Sequence, residues 1–157
     1  IPSDAIIVAA EVRLFHTSRS GTPQTTLGPL VIDIRNPYID ATSYRFGAND
    51  VVEADDFQSY AHYPAVGTLP LAGTNQYVST TLSPSGTAVI NKGGLTQMRV
   101  RFTIGDDGDI LTDQATFATG NYGAGSPGRP RLVVEYYLPC PRPTLDQPGK
   151  FDSTTRR

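Results

Sequence analysis

The sequence predicts an all-β fold, an antiparallel two-sheet β-sandwich of the jelly-roll kind, with a closed small barrel as the alternative. Three observations predict it. Fifteen glycines and thirteen prolines punctuate the 157 residues every few positions, a spacing that long helices do not survive. Between those breaks lie short runs in which apolar and polar residues alternate, the period of a half-buried strand. The connecting stretches are rich in Gly, Ser, Thr, Asn and Pro, the residues of turns and exposed loops.

The first strand is expected over Ile6–His16, with Val8, Ala10, Val12 and Leu14 on one face and Glu11 and Arg13 on the other. Residues 17–29 read as a polar exposed loop. A second strand follows at Leu30–Arg35, with Leu30, Ile32 and Ile34 inward and Asp33 and Arg35 outward. Asn36-Pro37 ends it, since proline has no N–H for the ladder. The segment 38–73 scatters aromatics among turn residues. A strand is expected near Tyr44, a turn or short helix over Asp50–Asp56, and a short strand over Phe57–Ala65. Gln76–Leu82 reads as a Thr- and Val-rich strand. One helical turn is expected within Ser83–Asn91, capped by Ser85 and stopped by Gly93-Gly94.

The clearest alternation is T-Q-M-R-V-R-F-T-I, in which Met98, Val100, Phe102 and Ile104 interleave with Arg99, Arg101 and Thr103. It predicts a strand over 97–104. An acidic turn from Gly105 to Asp109 follows. Further strands are expected at 114–119 and, after the Gly-rich loop 120–128, at 130–138, where R-P-R-L-V-V-E-Y-Y ends. From Pro139 four prolines and a basic end predict an extended tail, so the chain divides into a sandwich at 1–138 and a Pro-rich tail at 139–157.

A chain of 157 residues suits one domain, long enough to bury about 68–70% of its unfolded surface. The net charge of −2 supplies no basic excess for phosphate contacts, which argues against a nucleic-acid partner. No apolar run approaches the roughly 20 residues of a membrane-crossing helix. The single cysteine, Cys140, rules out an internal disulfide. It reads as an inert, partly buried thiol, with an intermolecular bridge as the alternative, because no cation or histidine adjoins it in sequence. The start at Ile1-Pro2 reads as a processed or excised end.

The ordered set A-E-V-R-L-F from Ala10, L-G-P-L-V-I-D-I-R from Leu27, D-D-F-Q from Asp55, T-Q-M-R-V-R-F from Thr96, A-T-G-N from Ala118 and R-P-R-L-V-V-E-Y-Y resembles the DNRLRE domain. That family is a carbohydrate-binding-module-like β-sandwich of extracellular bacterial and archaeal proteins. The resemblance covers roughly residues 1–139, although the name-giving string itself is absent. It implies a non-enzymatic extracellular or cell-surface module, attached to a larger protein, some of whose relatives bind polysaccharide. It also implies a sheet lacking its first strand or strands, since members carry strands ahead of an I-P-S-like segment.

Two groups of residues are candidates for chemistry. Asp106, Asp107, Asp109 and Asp113 place hard oxygen ligands one to four residues apart on a Gly-containing loop, a pattern that can hold a structural calcium ion. The same residues also make a solvated acidic turn. Tyr60, His62 and Tyr63, together with Tyr122 in the Gly-rich loop, offer aromatic faces for glycan binding, although they serve equally as sheet packing and the chain has no Trp. Asp50, Glu53, Asp55 and Asp56 form a second acidic group. Neighbouring carboxylates on an extended segment point to opposite faces, so Asp55 and Asp56 do not make a glycosidase pair. His16 and His62 lie far apart, and neither a nucleophile elbow nor zinc-type spacing is present, so no catalytic residue is assigned and the chain is expected not to be an enzyme. The expected partners are therefore a polysaccharide, or self-association with a neighbouring subunit or an upstream domain. In the second case an extended segment would complete a sheet edge, making the chain a structural subunit of a surface assembly.

Overall fold

A computed structural model describes residues 1–36, 46, 59–105, 107–121 and 128–140. The expected strand near Tyr44, the turn over Asp50–Asp56 and the tail beyond Cys140 lie outside the described residues. The described elements are β1 (Ile6–Ser20), α1 (Pro23–Thr26), β2 (Leu30–Arg35), β3 (Tyr63–Leu69), β4 (Gln76–Thr81), α2 (Pro84–Ala88), β5 (Gln97–Phe102), β6 (Gln114–Phe117) and β7 (Arg131–Tyr137). No helix among them is long and apolar enough to cross a membrane.

The strands form two antiparallel sheets, the predicted sandwich. In the first, β1 is central. β4 pairs with one of its edges over Glu11–His16, while β7 and β6 lie end to end along the other, against Ile6–Arg13 and His16–Ser20. In the second, β2 is central between β3 and β5. Ala10, Val12 and Val78 from the first sheet meet Leu30, Ile32, Ile34, Val66 and Leu69 from the second, and Leu71, Leu82, Val89 and Ile90 close the rim. Ile32 and Ile34 have no exposed surface. Full burial of a side chain of this size contributes about 1.5–3 kcal/mol, so this layer is the principal driving force for the fold.

Several details depart from the sequence-based expectation. β1 continues through Ser20, where a loop was expected from residue 17, because β6 pairs with Ser18–Ser20 and Thr17 Oγ1 donates to the Thr116 carbonyl. Val8 is exposed instead of inward. The β7 register slips between Ile7 and Ala9, and this bulge turns Ile7 toward the core in its place. A bulge carries one extra residue and so inverts the alternation that sequence periodicity assumes. β3 spans Tyr63–Leu69, several residues later than expected, and Pro70 ends it. α2 is capped by Ser83, whose hydroxyl accepts from the Gly86 N–H at 3.3 Å, and not by Ser85. β5 stops at Phe102, after which the Thr103 and Ile104 amides donate to Pro29 and Leu27. Cys140 is exposed, not partly buried.

Candidate functional site

A heavily bonded polar cluster lies on the face of the second sheet turned away from the core. Asp33, expected to point to solvent, is completely buried. Its Oδ2 accepts from Arg99 at 2.7 and 3.2 Å and from Arg101 at 2.7 Å, and its Oδ1 accepts from the Ala65 N–H at 2.9 Å. The register explains the convergence, since Arg99 stands directly opposite Asp33 and Arg101 one alternation along the same face of β5. Arg99 also donates to the Ser59 carbonyl, and its guanidinium lies 4.4 Å from the centre of the Phe46 ring. Burial pushes the Asp33 carboxyl up. The Ala65 N–H and the two guanidiniums outweigh that cost, leaving it below the ordinary carboxylate value. The sequence shows the three charged residues in two alternating strands. It does not show the cover, of which Phe46 and Ser59 are part, that converts a solvent face into an interior.

At the end of β2 the chain brings three of the predicted sugar-binding residues together. Tyr60 is 72% exposed and stands edge-on to His62, with ring centres 5.4 Å apart. The Asn36 N–H donates to His62 Nδ1, placing the proton of the neutral imidazole on Nε2, and the Asn36 amide reaches the Tyr63 hydroxyl. Arg35 donates to the Tyr60 carbonyl at 2.7 Å. The corner thus holds an exposed ring beside an imidazole N–H donor. Tyr122 lies outside the described residues.

In the acidic turn, Asp107, Asp109 and Asp113 each bring a carboxylate oxygen within 4.8 Å of the others; Asp106 lies outside the described residues. Those carboxylates also accept backbone N–H groups, from Asp109 to Asp107, from Leu111 to Asp109 and from Thr22 to Asp113. Asp113 thereby ties this turn to the chain beside Gly21, whose φ of +64° needs glycine.

Sequence reasoning missed His16. It follows Ala10, Val12 and Leu14 at alternate positions and is fully buried, with Nδ1 against the Gly73 carbonyl and its ring beside Phe117. Its Nε2 has no partner among the described residues. The period of β1 could have placed it inward.

An opening lies on the side where β5 faces β6 and β7. A cavity of about 590 Å³ wraps over β5 between Arg99, Arg101, Phe102, Leu30, Ala115 and Phe117. A second, of about 250 Å³, reaches Val12 and Ile32 of the core and the partly buried Leu14, Met98 and Val100 beneath Leu132. Among the described residues β5 pairs only with β2, and β6 and β7 only with β1, so each strand flanking the opening has one edge without a strand neighbour. Leu132 shares the inward face with Val12 yet remains 40% exposed.

Comparison with protein-family models, with curated proteins and with solved structures returns no match.

Proposed function

We propose that the chain is a non-catalytic β-sandwich module of an extracellular or cell-surface assembly, which works by accepting an extended strand along its open side. The observation that carries this reading is the apolar cleft between β5 and β6–β7, where inward-facing Leu132 stays 40% exposed and, among the described residues, the flanking strands each have one edge without a strand neighbour. An added strand satisfies the backbone groups of such an edge by main-chain pairing, and alternate side chains fill the cleft. The localisation follows from the resemblance to extracellular modules. Hydrogen exchange on the chain diluted until it is monomeric tests the reading. The amides of β5 and β7 are expected to exchange well ahead of those of the central strands β1 and β2. Equal protection in a monomer overturns it.

A second reading, glycan binding, is favoured by the Tyr60–His62 corner. A ring 72% exposed next to an imidazole N–H donor is suited to stacking on a sugar face while bonding a hydroxyl. Affinity electrophoresis through soluble neutral and acidic polysaccharides tests it. Retarded migration that Tyr60→Ala abolishes supports the site, and unretarded wild type removes it.

A further inference from the structure

We infer that the strand accepted at the open side is β7 of a second copy of this chain, paired antiparallel to β7 about a two-fold axis through Val133. The inference rests on the strand-accepting reading and names its partner.

The flanking edges differ in what they offer. β6 has only four residues, and the arginines of β5 are drawn onto Asp33. β7 has seven residues, R-L-V-V-E-Y-Y, with neither proline nor glycine inside it, and Leu132, Val133, Tyr136 and Tyr137 are all exposed. An edge this long and apolar is a template for another strand. Six of its seven residues are exposed, and only Val134 packs against the core.

Charge selects both the partner and the register. In an antiparallel pair with a two-fold axis perpendicular to the sheet, Val133 at the centre places Arg131 opposite Glu135 of the second copy, and Glu135 opposite its Arg131. Leu132 then falls opposite Val134 of the second copy, on the face that looks into the cleft. Centring the pair on Glu135 would set two carboxylates against each other, and centring it on Val134 would put Glu135 against Val133. Direct cross-strand pairs of opposite charge stabilise a sheet and like pairs oppose it, so one register is preferred. A strand that carries one positive and one negative residue four positions apart, with apolar residues between, is self-complementary in this geometry. The first sheet then runs continuously from one copy into the other, as in an isologous dimer.

Sedimentation velocity over a wide concentration range tests this on the whole chain. The expected result is a reversible dimer that persists in reducing agent, because the antiparallel pairing sends the two Cys140 residues to opposite ends. Arg131→Glu and Glu135→Arg are each expected to weaken the dimer about tenfold, since symmetry repeats each like-charge pair twice. Combining them in one chain restores the opposite charges and the dimer, a rescue that a merely misfolded variant would not show. A wild-type monomer at every concentration, or a double exchange no tighter than the single ones, overturns the inference. Hydrogen exchange on that monomer separates the two failures. Fast β7 amides leave strand acceptance standing with another donor, and slow ones remove both.

Discussion

Two edge strands of this sandwich have opposite character. β3, at the border of the second sheet, is blunted in three ways. It carries Pro64 and Gly67, its Ala65 sits at a φ of 51°, and its pairing with β2 slips between Ile32 and Ile34. Helix α2 adds cover, because the Ser83 N–H donates to the Val66 carbonyl and Gly86 lies against the Val66 side chain. β7, bordering the first sheet, contains no proline or glycine, the extra residue where its pairing slips lies on β1 and not on β7, no helix covers it among the described residues, and it exposes Leu132, Val133, Tyr136 and Tyr137. Proline, bulges and covering helices are how edge strands avoid pairing with strangers. The contrast therefore separates an edge built to stay alone from one suited to a partner. It also places the conformational strain at β3, since a non-glycine residue in the left-handed region persists only where its surroundings hold it.

What holds it is Asp33, whose Oδ1 takes the Ala65 N–H while Oδ2 takes both arginines. Breaking this anchor is the largest effect expected. Asp33→Ala leaves the nearly buried Arg99 without its countercharge and releases the bulge, at a cost of about 3–5 kcal/mol in denaturant unfolding. The same group sets an acid limit. Its folded-state value is lowered, so its contribution is fully present above the unfolded carboxylate value of about 3.9 and is lost as pH falls through the lower folded value. Thermal unfolding below about pH 4 should therefore fall more steeply for the wild type than for Asp33→Ala. Parallel curves would show that the anchor does not titrate with folding.

The cover over β3 comes next in size. A Cβ at Gly86 would stand 2.7 Å from the Val66 Cβ, a separation that atoms do not sustain. Gly86→Val should force α2 away from β3 and cost about 1–3 kcal/mol. If uncovering β3 also makes the variant associate in sedimentation, the helix is part of that edge's protection. If the variant stays dispersed, the proline and bulge suffice.

This difference between edges was only partly legible in the sequence. The two sheets could be read because Val12, Ile32, Ile34, Val78 and Val100 recur with period two between turn residues. The burial of Asp33 could not be, since periodicity assigns a face and says nothing of what covers it. Phe46 and Ser59, which help to enclose the Asp33 cluster, come from the part of the chain with the weakest alternation. The bulge at Val8 was hidden for the same reason, an extra residue being invisible until its partner strand is known. Of the candidate sites, Tyr60, His62 and Tyr63 were already neighbours in sequence, whereas Asn36, which orients His62 and Tyr63, comes from the end of β2.

The smallest structural effect is expected where the binding effect should be greatest. Tyr60 is 72% exposed and touches His62 only edge to edge, so Tyr60→Ala should change unfolding free energy by no more than about 0.5 kcal/mol. Arg35 holds the backbone carbonyl of residue 60, not its ring, so the corner keeps its shape without the side chain. Retardation by polysaccharide should nevertheless disappear, while the β7 dimer in sedimentation is untouched. Loss of both together would mean that the corner and the edge are not independent surfaces. Loss of stability beyond that bound would mean that the ring supports the fold, and the sugar-stacking role would then give way to packing.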